Sequence, residues 1–347
     1  MTTTQQQHTA DNRNCNSKGY KHVKTSNRLS PMAFIRKWTL PCAMLTGTTV
    51  YLLFAYAAPL KPIGKAVSPY IIDALPVVIF AMLYVTFCKI QTKDMRPRIW
   101  HFQLQGVRTL LSALLVAATI LAPTAEAKLV FEGLFICVIC PTASAAPVIT
   151  EKLGGSIASL TVYTVIANVV TAIIIPLFFP MVEKGTHITF LTAFAVILRR
   201  VTVVLLLPLC LALLTRRFLP RVAEAVKRQT NLAFYMWAFN LSVMMGLTLH
   251  NIINSEVSGL TMILLVMLPM LVTLLLFSIG KAIGGRYGER ISAGQALGQK
   301  NTMVGLWLTV TFLNPTAAVA PCAYVVWQNM VNAWQLWYKE KYGKLKW

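Results

Sequence analysis

Charged residues are scarce in this sequence, and acidic residues are the scarcest of them. They make up 12% of the 347 residues, with 11 Asp and Glu against 32 Lys and Arg, whereas soluble domains usually carry about 25%. Hydrophobic residues make up 56% and occur in runs of about 20 residues, the length that crosses a hydrocarbon core of ~30 Å. The composition therefore excludes an ordinary soluble domain and predicts an all-α polytopic membrane protein.

The sequence also lacks the motifs of common enzyme classes. It contains no HExxH, GxSxG or Walker-type pattern, and neither His101 nor His250 has partners for metal or nucleophilic catalysis. Cys137 and Cys140 have CxxC spacing, but they lie inside an apolar segment with no His or Cys partners nearby. We therefore expect no enzyme activity, no catalytic residue, no metal site and no cofactor.

The net charge of +21 does not predict a nucleic-acid partner. The Lys and Arg residues cluster in short loops between apolar runs, as they do in the cytoplasmic loops of membrane proteins. Most of them fall on one side if both termini are cytoplasmic, which also requires an even number of spans. The sequence thus predicts a multi-pass protein of a bacterial-type inner (plasma) membrane. Its expected partners are the lipid bilayer and a small-molecule substrate, and its oligomeric state stays open.

Ten apolar segments follow a polar N-terminal stretch. Residues 1–36 are predicted to be basic and disordered, and residues 339–347 to form a basic cytoplasmic tail. The ten segments divide into a first five-helix repeat, 37–180, and a second of inverted topology, 187–338. The second segment is placed at 70–89. The sixth, 189–215, is longer than one span, and its first part, up to Arg199 and Arg200, could be an interfacial helix. An amphipathic helix near 217–229 is predicted to lie on the cytoplasmic surface.

The fourth segment of each half is interrupted. The first of them carries Pro141 and Pro147 with small residues between them, and the second carries Gly298 next to a polar cluster. Interruptions at matching positions of two inverted halves indicate a substrate site near the bilayer midplane. The freed backbone groups must then be satisfied by protein or by a water-filled cavity. We predict helix breaks at Pro141, Pro147 and Gly298.

Lys300 lies near the middle of the ninth segment. A charge at that depth costs at least ~2.5–3.5 kcal/mol on the mildest scale. One interpretation is a fixed cation that binds an anionic substrate or exchanges protons. The other is a lysine that lines an aqueous vestibule or satisfies the carbonyls of a broken helix.

Further polar residues in the apolar segments are candidates for binding substrate or ions, although such groups also join helices. Arg108, in the third segment, either snorkels to the lipid headgroups or faces the cavity, and Asn168, in the fifth, is a candidate for cavity lining. The remaining candidates are Asn301, Gln299, Gln295, Thr302, Thr142 and Ser144.

These segments resemble the bile acid:sodium symporter superfamily. The stretch ICPTASAAPVITEKLGGSIASLTVYTVIANVVT resembles its first crossing helix and the span after it, and GQALGQKNTMVGLW resembles its second crossing helix. The stretch VILRRVTVVLLLPLCLALLTRRFLP resembles its sixth span, and the whole resemblance covers about 37–338. It implies ten transmembrane helices as two inverted five-helix repeats, a panel domain, and a core domain in which two broken helices cross. It also implies alternating access and the transport of organic anions together with sodium.

The sequence departs from that family where sodium would bind. The second crossing helix of the family typically reads acidic–x–Gly–x–Gln–Asn. The matching residues here are Ala296, Gly298, Lys300 and Asn301. A Ser–Asn pair of the first crossing helix corresponds to Ala146 and Pro147, and a glutamine of the third span corresponds to Arg108. The segment between Glu289 and Glu340 holds no acidic residue.

These departures lead to a functional hypothesis. We expect a secondary transporter of a small organic solute, an organic anion, that works by alternating access without classical sodium coupling, with Lys300 replacing the charge of the ion. One alternative is a sodium- or proton-coupled symporter of the bile acid type, with sodium retained although its ligands are degraded. The other is a non-transporting membrane sensor or assembly component.

Overall fold

The computed structural model describes residues 39–89, 96–143, 146–182, 189–229, 232–254 and 257–345. These residues belong to one unit, Thr39–Trp347. The N-terminal segment predicted to be disordered, 1–36, and the candidate residue Ser144 lie outside the described residues.

The described residues form helices joined by short connections, together with one isolated bridge between two chain segments. In chain order the helices are α1 (Thr39–Tyr56), α2 (Lys61–Cys88), α3 (Ile99–Ile120), α4 (Ala125–Ile139), α5 (Ala146–Leu153), α6 (Ile157–Val182), α7 (Phe190–Val201), α8 (Leu207–Phe218), α9 (Pro220–Arg228), α10 (Leu232–Ile253), α11 (Gly259–Gly285), α12 (Arg290–Gly298), α13 (Thr302–Phe312) and α14 (Val319–Tyr342). A π turn, Thr202–Leu206, joins α7 to α8, and a 3₁₀ turn, Pro315–Ala318, precedes α14.

Five helical segments are long and apolar enough to cross a membrane: Lys61–Cys88, Ile99–Ile120, Ile157–Val182, Phe190–Phe218 and Gly259–Gly285. Their outer faces carry many exposed large apolar side chains, such as Leu271, Leu274 and Leu275 of α11. Many large apolar side chains exposed along helices of this length are typical of a protein whose surrounding solvent is lipid. The predicted all-α membrane class is therefore confirmed.

The helix α2 is longer than the sequence predicted. The second segment was placed at 70–89, but α2 begins at Lys61. Pro62 lies in its first turn, where the missing N–H and the fixed φ of proline favour a helix start. Lys61 and Lys65 are exposed, so their long side chains do not prevent the first turns from forming.

The sixth segment is one continuous helix. It runs from Phe190 to Phe218 through the π turn, so its first part, up to Arg199 and Arg200, is not a separate helix. The amphipathic stretch near 217–229 forms the short helix α9, with Ala223 buried and Arg221 and Glu224 exposed.

Small residues bring α11 and α12 close together. A Cβ atom on Gly280 would lie 2.5 Å from the carbonyl oxygen of Ala293, and one on Gly294 would lie 2.6 Å from Cγ of Lys281. The glycines therefore allow the backbone of α12 to pack directly on α11, which fixes the position of the second interrupted helix.

Candidate functional site

The first interrupted helix is formed by α4 and α5, with the first break between them, of which the structure describes 140–143. Pro141 and Thr142 are buried in this break. Pro147 lies in the first turn of α5 and not in the break itself. Proline is tolerated there because the N–H of that position has no helical partner in any case. Pro141 thus stands at the interruption, whereas Pro147 starts the second half-helix.

The second interrupted helix is formed by α12 and α13, with the second break (299–301) between them. Gly298 is the last residue of α12, and Thr302 is the first residue of α13. Gln299, Lys300 and Asn301 are all buried. A Cβ atom on Gly298 would lie 2.4 Å from the ring of Phe277, so only glycine fits at this end of α12.

The two breaks lie against each other and satisfy each other's backbone groups. The amide of Ala143 donates to the carbonyl of Gln299 (3.1 Å), and the amide of Asn301 donates to the carbonyl of Pro141 (2.7 Å). Thr142 and Lys300 form an antiparallel bridge. The hydroxyl of Thr142 also donates to the carbonyl of Ala296 at 2.8 Å.

Side chains of α14 complete the hydrogen bonding of the second break. The hydroxyl of Tyr324 donates to the carbonyl of Gly298 (2.7 Å). The amide of Gln328 accepts from the backbone N–H of Lys300 (2.8 Å) and donates to its carbonyl (3.4 Å). Gln328 is not among the site residues predicted from the sequence. The sequence feature that could have identified it is a row of polar residues on one face of the last helix: Tyr324, Gln328, Asn332 and Gln335, all buried in the structure.

Lys300 points to the end of the first half-helix. The side chain is 2% exposed, and Nζ donates to the carbonyl oxygen of Val138 at 2.8 Å. Val138 is next to the last residue of α4, and the last carbonyls of a helix have no intrahelical donor. The ammonium group therefore meets the negative end of the α4 dipole.

Arg108 reaches the same end of α4 from α3. The residue is 2% exposed, so its guanidinium does not snorkel to the headgroups. Nη1 donates to the carbonyl of Cys140 (3.4 Å), and Nη2 donates to the carbonyl of Ala167 (3.0 Å) and to Oγ1 of Thr171 (2.6 Å). Across the described parts of the chain, neither Arg108 nor Lys300 forms an ion pair with an acidic side chain.

A row of glutamines leads away from the second break. Nε2 of Gln299 donates to Oε1 of Gln295, and Nε2 of Gln295 donates to Oε1 of Gln335 at 2.8 Å. Nδ2 of Asn301 has no hydrogen-bond partner among the described residues. This amide is a free donor beside Lys300.

Most of the candidate residues come together at the breaks. Thr302 is buried at the start of α13. Asn168 is different, because its amide donates to the carbonyl of Thr164 in the same helix, at 2.7 Å. The residues that meet at the two breaks are Lys300, Asn301, Gln299, Gln295, Thr142, Arg108, Pro141 and Gly298.

A cavity of about 160 Å³ lies between α2, α7, α10 and α13. Asp73 and Arg200 line it together with Trp307 and Thr311. The guanidinium carbon of Arg200 also lies 5.8 Å from the ring centroid of Phe312, within cation–π range. Asp73 and Arg200 are not among the site residues predicted from the sequence. Ionisable residues within apolar helices were the available signal.

One part of the chain matches the sequence pattern of a known protein family. This part includes the first break, Arg108 and Arg200. The model of the sodium bile acid symporter family matches residues 76–255, about half of the chain. The chain belongs to this family. Its members are membrane transporters and not enzymes, so the prediction of a multi-pass membrane transporter without enzyme activity is confirmed. None of the curated proteins matches the chain.

The match with the sodium bile acid symporter family ends before the second interrupted helix. Residues 76–255 include Arg108 and the first break, whereas α12, α13 and Lys300 lie outside them. Of the departures from the sodium-site pattern of the family, Ala296 and Lys300 lie in that unmatched region, whereas Arg108, Ala146 and Pro147 lie within the matched residues.

Proposed function

We propose that this family member carries a small organic anion by alternating access and does so without sodium coupling. The observation that carries the proposal is the position of Lys300. Its ammonium group lies on the carbonyl end of α4 at the crossing of the two breaks, bonded to Val138. A transporter coupled to sodium would need oxygen ligands there for a mobile cation.

Charge repulsion is the physical reason for excluding sodium. Two unit charges about 5 Å apart repel by about 3 kcal/mol at an effective dielectric of 20. Lys300 and Arg108 are both bonded to the last carbonyls of α4 and its cap. A sodium ion near those carbonyls would face two fixed cations, and Ala296 stands where a compensating carboxylate would be expected.

The lining of the cavity beside α13 is suited to a small anionic solute. Arg200 supplies a guanidinium that can bind a carboxylate or sulfonate, and Trp307 supplies an apolar wall. Asp73 lines the same cavity and would accept a hydrogen bond from a hydroxyl or amine of the solute. The volume of about 160 Å³ favours a compact molecule in this conformation.

The architecture that we propose is ten transmembrane helices as two inverted five-helix repeats, 37–180 and 187–338. Two interrupted helices support it, because α4–α5 and α12–α13 are the fourth elements of the two halves. The distribution of Lys and Arg supports cytoplasmic termini and a bacterial-type inner membrane. The partners in this proposal are the lipid bilayer and the small solute, with no nucleic acid and no cofactor.

The alternatives are a carrier coupled to protons or sodium and a protein that does not transport. A proton-coupled carrier would use Lys300 as the group that takes up and releases the proton, and a sodium-coupled carrier would bind the ion elsewhere than at the α4 end. A non-transporting sensor would keep the fold and show no flux.

Counterflow uptake into proteoliposomes tests the proposal. The full chain is reconstituted and assayed with a panel of carboxylates and sulfonates in sodium chloride and in choline chloride. Lys300→Gln is compared with Lys344→Gln, which changes an exposed lysine outside the breaks. We expect equal uptake in the two salts, loss of uptake in Lys300→Gln, and unchanged uptake in Lys344→Gln.

Each other result contradicts one part of the proposal. Uptake that disappears in choline chloride would contradict sodium independence. A dependence on an imposed proton gradient that is lost in Lys300→Gln would favour the proton-coupled carrier. No uptake of any solute in either salt would favour the non-transporting alternative.

A further inference from the structure

A groove of about 410 Å³ lies between α11 and α14, separate from the cavity beside α13. On α11 its wall runs from Met270 to Lys281, and on α14 from Trp327 to Gln335. On α11 this stretch runs from the middle of the helix toward its C-terminal end, and on α14 it lies around the middle of the helix. None of the residues that meet at the two breaks lines this groove.

The dimensions of the groove fit one leaflet of a bilayer. The eleven residue-to-residue steps from Met270 to Lys281 rise about 16 Å along the helix, which is about half of a ~30 Å hydrocarbon core. A groove of this length on a membrane-spanning helix can hold an acyl chain from the midplane to the headgroup region.

The two ends of the groove differ in chemistry. Met270 and Leu274 line the deeper part of α11, whereas Ser278 and Lys281 line the part nearer to Gly285, the end of the helix. Gln335 of α14 closes the same end, because it bonds Gln295, the residue after Gly294, which packs on the stem of Lys281. A ligand that matches this gradient has an apolar chain at one end and hydrogen-bond acceptors with negative charge at the other.

Lys281 is fixed in the wall. It is 6% exposed, and its stem lies against Gly294 of α12, where a Cβ atom would approach Cγ to 2.6 Å. A cation held in this way is positioned before a ligand arrives, so binding does not need to order a flexible side chain.

Gln335 supplies a second donor. It is 1% exposed, and its Oε1 accepts from Gln295 at 2.8 Å. Its Nε2 has no hydrogen-bond partner among the described residues. A buried amide donor without a partner costs about 1–3 kcal/mol, and an acceptor oxygen in the groove would remove that penalty.

We propose that this groove binds one phospholipid with a net anionic headgroup. Its phosphate oxygens accept hydrogen bonds from Lys281 and Gln335, and one acyl chain lies along Met270, Leu274 and Met330. A helix from a second copy would place apolar residues against Lys281, so the charge favours a lipid over a protein partner.

The site would connect the lipid to the two breaks. Gln335 bonds Gln295, and Gln295 bonds Gln299 of the second break. Phe277 lines the groove and also packs against Gly298. The lipid therefore stabilises the wall on which the second break rests.

Thermal unfolding of the purified full chain in detergent tests the proposal. Dioleoyl phosphatidylglycerol and dioleoyl phosphatidylcholine, which have the same acyl chains, are added separately, and bound lipid is counted by native mass spectrometry. We expect phosphatidylglycerol to raise the Tm by several degrees more than phosphatidylcholine. We expect Lys281→Gln to weaken phosphatidylglycerol binding at least tenfold and Lys281→Arg to retain it.

A pair of matched variants tests the path of the acyl chain without altering charge. Leu274 lines the groove and is 48% exposed, whereas its neighbour Leu275 is 49% exposed and does not line it. Leu274→Trp fills the groove and should abolish the shift, and Leu275→Trp should leave it intact. Both positions face outward, so folding should survive either change.

Three results would overturn the proposal. The first is equal shifts with the two lipids, which would remove the role of the charge. The second is an equal loss in Leu274→Trp and Leu275→Trp, which would remove the groove. The third is a shift with sn-glycerol 3-phosphate alone as large as with phosphatidylglycerol, which would indicate a site for a soluble anion. The readout does not involve flux, so it is independent of the transport proposal.

Discussion

Two buried cations, Lys300 and Arg108, share one end of one helix. Nζ of Lys300 lies 2.8 Å from the carbonyl of Val138, and Nη1 of Arg108 lies 3.4 Å from the carbonyl of Cys140. The unpaired carbonyls of a helix end act as about half a negative charge. This end of α4 therefore stabilises two cations that have no carboxylate partner among the described residues.

Replacing Arg108 with lysine should destabilise the protein although the charge is kept. The planar guanidinium reaches three acceptors on two chain segments. An ammonium group carries all of its N–H donors on one nitrogen and cannot reach acceptors that are so far apart. Hydrogen bonds to charged groups contribute about 1.5–3 kcal/mol each, so we expect Arg108→Lys to lower the unfolding free energy by about 2 kcal/mol. Thermal unfolding in detergent measures it.

Arg217→Lys is the control for this change, because Arg217 is exposed at the end of α8. A loss of stability in the control equal to that in Arg108→Lys would contradict a specific role for the guanidinium contacts.

The sequence could single out Lys300 but not the surroundings of Arg108. A lysine in the middle of an apolar segment is costly, so its position alone marks it. The partners of Arg108 are 32, 59 and 63 residues away along the chain. Which face of α3 meets them depends on helix packing, and no local pattern encodes it. The same holds for Gln328, whose role depends on contact with the backbone of Lys300.

At the scale of elements, the two interrupted helices depend on each other. Each break leaves amides and carbonyls without helical partners, and the other break supplies two of them through Ala143–Gln299 and Asn301–Pro141. Such irregular backbone is tolerated within a membrane only where protein or water satisfies it. Disturbing one break should therefore weaken the other.

Gly298→Ala should test this coupling at the end of α12. The added methyl would lie 2.4 Å from the ring of Phe277, and overpacking of this kind costs about 1–3 kcal/mol. We expect a lower Tm in detergent together with reduced uptake in proteoliposomes.

Gly106→Ala is the matched control, because a methyl at Gly106 of α3 would meet nothing within 4 Å. Alanine in a helix is more stable than glycine by about 0.5–1 kcal/mol, so this variant should gain stability. If both variants behave alike, the close approach at Gly298 is not what holds the break.

Helix interruptions were more predictable than helix ends. Proline and glycine mark both breaks in the sequence, because each residue has a strong backbone preference. The same residues misled at other places. The second segment was placed at 70–89, but Pro62 and Pro69 both lie within α2, and Pro147, a predicted break, begins a half-helix. A proline near a helix start is favourable, so its meaning depends on where the helix begins.

At the scale of the whole molecule, the composition predicts that the chain is a helical membrane protein. It does not predict how the helices are arranged. Runs of apolar residues identify lipid-facing helices regardless of their neighbours, and five segments of the described chain meet the length and hydropathy required. The ten-span arrangement stays a prediction. Hydropathy alone identifies two kinds of membrane helix poorly. One is an interrupted pair such as α4–α5, and the other is a helix with many buried polar groups, such as α14.

Reporter fusions at the C-terminus should establish the orientation. If the tail is cytoplasmic, green fluorescent protein fused after Trp347 will fluoresce, and alkaline phosphatase at the same point will be inactive. Phosphatase inserted after Ser258 should be active, because that connection is predicted to face outward. Active phosphatase at the C-terminus with a dark fluorescent fusion would contradict the proposed topology.

The π turn at Thr202–Leu206 has a consequence for evolution of the cavity. A π turn holds one residue more than an α-helix of the same length, and one residue corresponds to about 100° of rotation about the axis. Arg200 lies just before this turn, so the extra residue sets the azimuth at which its guanidinium meets the cavity with Asp73. Gain or loss of a single residue there would turn the cation toward or away from the cavity while every lining residue stayed the same. Under the proposed function, the selectivity for the solute would then change.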